Sequence, residues 1–552
     1  MKLKIIIVLI WSILVIGPPI IAWQQLSIVA EKNIFETIIE FDNKFQTRDS
    51  IEFTFLVASY STILTLILGV PLAWNLGRYK WKYGTFLRSL FTVPFVMPSI
   101  LVAMGFLSLL DWFEVLFGIN DSQNLRFYLL LLSHAWFNLA LVVRLCEPIL
   151  STIDSSYEES AFLLPRGNSK FKRFKNLWLP LLWPNIMASA SLTFIFSFTS
   201  FALVKFIVPT KRNLEIVMSN QAEWAGIDIP ALGQTPSEII LASSSIQLLT
   251  IIIALAISSK LQSKSFGHQL SSLDDKRIEA SFFSKRGLYI ITMLIVIILP
   301  LISLILSSFL IRNGGSISWT TKGWSAAFGG THSPTNMYQA LYSSIKYATI
   351  SILISLPIGF MLSDIINQLE RKDSIFAVIL DIVVMLPLAL SAVMVGLGVL
   401  VGIIRTDPEI ARSWWIPIYG HIMITTPFVV RVLLPAMRNL DPDLEFSAAL
   451  LGAGYFKRLI KIKIPILSHS IIVSSSLVFA ISLGEFGSSW VVLRFTEFTT
   501  LPVMIGDILS RPGFDPLVRS AANAAGSTLL LMTLILFICV EKFRPVGSGG
   551  EF

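Results

Sequence analysis

Asp443-Leu-Glu-Phe-Ser-Ala-Ala-Leu-Leu-Gly452, running on through Ala453-Gly-Tyr-Phe-Lys-Arg-Leu-Ile-Lys to Ile462-Lys-Ile-Pro465, has a counterpart earlier in the chain. Tyr157-Glu-Glu-Ser-Ala-Phe-Leu-Leu-Pro-Arg-Gly167 continues through Asn168-Ser-Lys-Phe-Lys-Arg-Phe-Lys-Asn to Leu177-Trp-Leu-Pro180. In both, acidic residues open a short helix and a glycine allows a sharp turn that a β-carbon would hinder. Lys and Arg then alternate with Phe, Leu and Ile, the pattern of a second short amphipathic helix lying on a membrane surface. Proline closes the unit where an apolar run begins.

The duplication extends well beyond this stretch. Gly167, Phe171, Lys172, Arg173 and Pro180 recur as Gly452, Phe456, Lys457, Arg458 and Pro465, and Ser191, Phe194, Ser197 and Phe201 recur as Ser476, Phe479, Ser482 and Phe486. From Gly167 onward the offset is a constant 285 residues, the difference between 452 and 167. Upstream, His134, Arg144 and Pro148 share their spacing with His421, Arg431 and Pro435, as Pro94 and Gly105 do with Pro387 and Gly398.

Between these landmarks lie runs of about 20 apolar residues, the length that crosses a hydrocarbon core as a helix. Of the 552 residues, 54% are hydrophobic and only 14% charged, against roughly 25% charged in soluble domains. A soluble enzyme is thereby excluded. Twelve runs can be placed, near 5–23, 53–76, 89–110, 127–150, 185–208, 238–258, 288–310, 342–366, 375–404, 415–436, 466–492 and 520–540. The expected fold is an all-α polytopic membrane protein of about 12 transmembrane helices in two tandem six-helix repeats. Six spans per repeat put both copies in the same orientation, related by an axis along the membrane normal.

The expected layout is a first six-helix domain at 1–258, a linker at 259–287, a second domain at 288–544 and an appended tail at 545–552. The linker, from Lys260 to Arg286, is polar and reads as a solvated connector. If Met1 faces the cytoplasm, 26 of the 43 Lys and Arg fall on the cytoplasmic side, the positive-inside signature. Both termini are then cytoplasmic, and the net charge of +8 needs no nucleic-acid partner. Cys146 and Cys539 are too few for a disulfide framework or metal cluster. The first apolar run is followed by Gln24-Gln25 without a small-x-small cleavage site and reads as an uncleaved anchor.

The two loops resemble the Glu-Ala-Ala-x3-Gly-x9-Ile-x-Leu-Pro signature of the membrane subunits of ATP-binding-cassette (ABC) importers, the binding-protein-dependent permeases of type I, MetI-like fold. The second loop matches at Ser447, Ala448, Gly452, Ile462, Ile464 and Pro465, with Phe446 in place of the motif glutamate and Glu445 just before it. The first matches at Glu159, Ser160 and Ala161, beside Glu158, then at Gly167 two residues late and at Leu177, Leu179 and Pro180; its insertion contains Pro165. The resemblance implies that these are coupling helices seated in two copies of a cytoplasmic ABC ATPase subunit. It makes Phe171, Lys172, Arg173, Phe456, Lys457 and Arg458 part of the same coupling surface. The chain has no Gly-x4-Gly-Lys-Ser/Thr loop, so ATP is expected on the partner and no cofactor on this chain. The short outer loops imply an extracytoplasmic substrate-binding protein.

Polar residues inside spans are costly and are candidates for the translocation path. His134 and His421 either line it or hydrogen-bond a neighbouring helix. Ser197, Ser200 and Phe201 correspond to Ser482, Glu485 and Phe486. Glu485, flanked by glycines in an apolar run, meets either a cationic substrate or a structural donor, with Lys205 as another partner. Arg144 and Arg431 lie at span ends, where they can snorkel. Gly398-x3-Gly402 suits close helix packing, and Asp381 fits either role.

His134-Ala-Trp-Phe-Asn138 and Val93-Pro-Phe-Val-Met-Pro-Ser-Ile-Leu-Val102 resemble thiamine permeases, and fused halves are typical of thiamine and iron(III) members. Thiamine is the first expectation for cargo, iron(III) the second, with sulfate, molybdate and polyamines in the same branch. An ion-gradient-driven secondary transporter would carry its signature loop at Gly77-Arg-Tyr-Lys-Trp-Lys-Tyr-Gly84, which lacks the expected acidic residue. An intramembrane enzyme would need a catalytic or metal constellation that the sequence does not offer.

Overall fold

The computed structural model describes residues 2–40, 47–118, 121–152, 169–228, 235–265, 278–313, 316–493, 498–512 and 514–542. Among them, ten helices are long and apolar enough to cross a membrane, and two sharply bent helix pairs bring the count to twelve if each pair is one span. The protein is multi-pass and all-α in its spans. A first series comprises α1 (Lys2–Ala30), α2 (Thr47–Arg78), α3 (Gly84–Val96), α4 (Ser99–Phe117), α5 (Gln123–Thr152), α6 (Leu179–Phe198), α7 (Ala202–Ile207), α8 (Leu214–Gln221) and α9 (Pro236–Ser265). A second comprises α10 (Lys285–Ser307), α11 (Met337–Glu370), α12 (Ile375–Ala389), α13 (Ala392–Val399), α14 (Ile416–Arg438), α15 (Pro442–Leu450), α16 (Ser468–Leu483), α17 (Gly487–Leu493), α18 (Leu501–Leu509) and α19 (Pro516–Lys542). The face at which α1 begins is called proximal below, and the opposite face distal.

Four of the twelve apolar runs are interrupted, in matching pairs. The run at 89–110 is two helices, α3 and α4, because Pro98 forces Met97 into extended backbone at φ −70° and ψ 135°. The run at 375–404 bends by 89° between α12 and α13. Ser391 stands there at φ +57°, and its hydroxyl accepts from the Met394 amide to cap α13. The runs at 185–208 and 466–492 each part into a long and a short helix, around 199–201 and 484–486. Apolar periodicity does not register such breaks, because both arms remain apolar.

Two short sheets join the helices. β1 (Tyr79–Trp81) pairs in parallel with β2 (Ile278–Ala280), and β3 (Leu310–Asn313) forms an antiparallel hairpin with β4 (Ser316–Trp319). The linker is therefore anchored at its far end. α9 also runs to Ser265, and Ser284 caps α10 by accepting from the Gly287 amide.

The leading helix of each series packs on the other series. α1 crosses the segment after α13, where a β-carbon on Gly402 would lie 2.4 Å from the Pro18 carbonyl oxygen; this is the close packing that Gly398-x3-Gly402 suggests. Tyr419 in α14 donates to the Leu14 carbonyl at 2.5 Å. In the mirror arrangement, α10 lies on α2, α4 and α5: Tyr289 donates to the Leu68 carbonyl at 3.2 Å, Ser303 to Gly105 at 3.0 Å, and the Trp136 indole to Val296 at 3.2 Å.

Candidate functional site

The second loop stands out from the proximal face. Asp441 caps α15 by accepting from the Asp443 amide, and α15 has no buried residue. Gly452 turns the chain at φ +80°, a left-handed conformation that favours glycine. A helix from Tyr455 to Ile466 follows, bent by 79° against α16, so it runs across the spans as a surface helix does. Phe446 is 66% exposed, Leu450 89%, and Leu451 and Phe456 are likewise exposed. In the first loop, Glu158, Glu159, Ser160, Ala161 and Gly167 lie outside the described residues. Phe171, Lys172 and Arg173 belong to the short helix Lys170–Arg173, and Pro180 sits at the start of α6.

Both loops return to the spans through a π-helical turn, Phe174–Trp178 in one and Leu459–Lys463 in the other. In such a turn a residue is inserted and the side chains beyond it re-aimed. The turns face α2 and α11, which correspond at an offset of 290: Ala58, Ser61, Gly69 and Leu72 recur as Ala348, Ser351, Gly359 and Leu362. Trp74 therefore occupies the place of Asp364, and Trp178 that of Lys463. In the first unit the two indoles meet edge to face at 5.2 Å between centroids, with Phe174 at 5.7 Å from Trp74 and the Arg78 guanidinium 4.3 Å above Trp178. In the second the same positions form an ion pair between Lys463 and the fully buried Asp364, and Lys463 also pairs with Glu445 on α15.

Between the units, counterparts meet each other. Phe201 stacks on Phe486 at 5.5 Å between centroids and 20° between planes. The Lys205 ammonium lies 3.9 Å from the centroid of Trp490, its own counterpart at the 285-residue offset. Phe206 closes on Phe486 at 5.9 Å. The first two contacts of this aromatic plug pair residues at equivalent positions of the two units. Lys205 and Phe206 also line a distal cavity of about 730 Å³, together with Asp111, Arg126, Arg312, Arg511, Asp515 and Arg519. Ion pairs across the units bound it: Arg312 with Glu114 at 2.6 Å and Arg519 with Asp111 at 3.1 Å. Nearby, outside the spans, the Arg126 guanidinium holds the Asp121 carboxyl below its ordinary range by hydrogen bonding.

A 189-residue part of the chain, 32% of it, is 31% identical to the molybdenum transport system permease protein of Escherichia coli and covers 81% of that protein. Residues 65–314 match the model of the family described as binding-protein-dependent transport system inner membrane component.

The chain belongs to this family.

A protein named as a 2-aminoethylphosphonate transport system permease in Salmonella paratyphi A is 25% identical over 214 residues, 39% of this chain and 77% of its own length. One named as a sulfate transport system permease in Prototheca wickerhamii is 27% identical over 215 residues, 37% of this chain and 82% of its own. Most of each relative is matched by 32–39% of this permease, a proportion compatible with a chain that carries the unit twice.

Apart from the half-buried Ser200, the polar path candidates of the permease are buried between helices, and the repeat is visible in how they pair. His134 Nδ1 is 3.3 Å from the Ser61 hydroxyl, and Asn138 donates to Ser197 at 3.2 Å. In the second unit His421 Nδ1 is 2.6 Å from Ser482, which donates to Ser351 at 3.4 Å. The Ser200 carbonyl accepts from Asn213 at 2.7 Å. Glu485 caps α17, accepting from the Ser488 amide at 2.7 Å, the Ser489 amide at 3.0 Å and the Ser489 hydroxyl; His421 Nε2 is 3.7 Å away. Of the path candidates, only Phe201 and Phe486 form part of the inter-unit plug. Asp364, Lys463 and the Trp74–Trp178 pair were not singled out from the sequence. The signal for them was available: a lysine and a tryptophan at one repeat position, facing an aspartate and a tryptophan at another.

Proposed function

We propose that the chain forms the whole translocation path of an ATP-driven importer. Two copies of a separate ATPase subunit seat on the proximal loops, ATP is hydrolysed there, and a substrate-binding protein docks on the distal face. The proximal face, with both termini, is then cytoplasmic. The observation that carries this reading is the exposed apolar ridge of Phe446, Leu450, Leu451 and Phe456 on a loop whose sequence occurs in both units. Large apolar patches exposed outside the bilayer mark partner surfaces. The plug closes the path below the distal cavity, so opening it requires Phe201 and Phe486 to part. Co-purification tests the reading: an ATPase subunit should accompany the wild-type chain, and Gly452→Asp should release it without loss of folded permease. Retention of the ATPase by that variant, at wild-type stoichiometry, would count against the loop.

For the cargo, we infer a small oxyanion ahead of thiamine or iron(III). The relatives' names carry molybdenum, sulfate and 2-aminoethylphosphonate. The lining of the distal cavity supports the same class, since its five cations, Arg126, Lys205, Arg312, Arg511 and Arg519, face two carboxylates, Asp111 and Asp515. Such a surface disfavours a cation in its outer vestibule. Competition of uptake by molybdate and sulfate, with no effect of thiamine, is the expected result; competition by thiamine alone would reverse the assignment.

A further inference from the structure

The second loop base contains a residue from the other unit. Lys4, near the start of α1, places its ammonium 3.2 Å from Asp364 Oδ2, donates to Gln368 Oε1 at 2.5 Å, and lies 4.9 Å from the centroid of the Tyr455 ring. The Tyr455 hydroxyl donates to Asp364 Oδ2 at 3.1 Å, and the Gln368 amide donates to it at 2.8 Å. The other Asp364 oxygen takes Lys463, which in turn holds Glu445 of the loop helix α15. A continuous set of charged contacts thus runs from α15 through the π turn and α11 to the leading helix of the first unit. Its two ammonium groups face two carboxylates, so removing either lysine leaves a carboxylate undercompensated in a setting where such charges are costly.

Among the described residues, the first unit shows no such chain at the corresponding place. There the leading helix of the second unit, α10, sets the Arg286 guanidinium 4.0 Å from the Tyr79 ring, and the loop base beside it is the Trp74–Trp178 stack.

We propose that Lys4 is a positioning residue for coupling, through which displacement of the second loop is passed to the first unit by way of α1. This rests on the reading of that loop as the ATPase contact. The test uses the complete transporter, the chain with its ATPase and binding protein in proteoliposomes, and reads uptake per ATP hydrolysed. Coupling free energies of this kind commonly correspond to about 5-fold or more. Lys4→Met should therefore lower uptake per ATP by about 5-fold while binding-protein-stimulated hydrolysis continues, and Lys4→Arg should restore most of it. Tyr455→Phe, which removes a single hydroxyl, should lower the ratio in the same direction by less. An unchanged ratio in Lys4→Met, or a parallel fall of uptake and hydrolysis that Lys4→Arg does not rescue, overturns the proposal. Glu445→Arg separates the two claims. If it transports normally, the coupling reading of the loop fails; if it uncouples while Lys4→Met does not, only the role of Lys4 fails.

Discussion

The two loop bases hold equivalent backbone in place with opposite chemistry. In the first unit Trp74, Trp178 and Phe174 make an aromatic cluster; in the second, Asp364, Lys463, Glu445 and Lys4 make an ionic one. Aromatic contacts depend on shape and tolerate apolar replacement. A buried ion pair depends on every member and is strongly destabilised when one is removed. The same fold position can therefore be filled by a permanent apolar seat or by a set of contacts able to rearrange. The loop served by the ionic base is also the one that keeps the signature spacing from Ser447 and Ala448 to Gly452.

The comparison breaks most sharply at Asp364. Asp364→Leu leaves the Lys4 and Lys463 ammonium groups with one carboxylate, Glu445, between them and should cost about 3–5 kcal/mol, seen as a large fall in the midpoint of thermal unfolding in detergent. Trp74→Leu, at the matched position, should cost less because an apolar group still covers Trp178; an equal loss in both would erase the distinction. Next in size, Asp364→Trp together with Lys463→Trp copies the first base into the second. Well-packed apolar replacement of a buried ion pair is often neutral or stabilising, so folding should survive while uptake per ATP falls. Recovery of full coupling would show that the ionic character has no role in transport.

Smaller effects are expected where the units meet. Glu485→Gln keeps one oxygen to accept from either the Ser488 or the Ser489 amide, which use separate oxygens of Glu485, so a stability loss of about 1 kcal/mol is expected, the usual value of a helix cap. Uptake should then change by no more than about fivefold, the factor that corresponds to about 1 kcal/mol; a much larger loss would return Glu485 to contact with the cargo. Arg312→Ala removes a half-exposed pair with Glu114 and should cost about 0.2–1 kcal/mol, with the difference shrinking as salt is raised.

The span pattern, the duplication and the exposed second loop were all legible in the sequence, because each depends on local composition or on spacing along the chain. The breaks at Pro98 and Ser391 were not, because apolar periodicity continues through them. The loop bases escaped for another reason. Trp74 and Trp178 are separated by more than a hundred residues, as are Lys4 and Asp364, and only the packing of α1 onto the second unit brings the latter pair together. The placement of Phe201 against Phe486 follows from the repeat once an axis between the units is assumed. The capping role of Glu485 depends on a short helix after the break, which an uninterrupted span would not contain.

The most direct measurement is uptake into proteoliposomes that contain the purified chain, with and without its ATPase subunit, ATP and the binding protein. Uptake that requires all three, and is lost in Glu445→Arg while ATP hydrolysis persists, is the predicted result. Uptake by the chain alone, driven by an ion gradient, would contradict it.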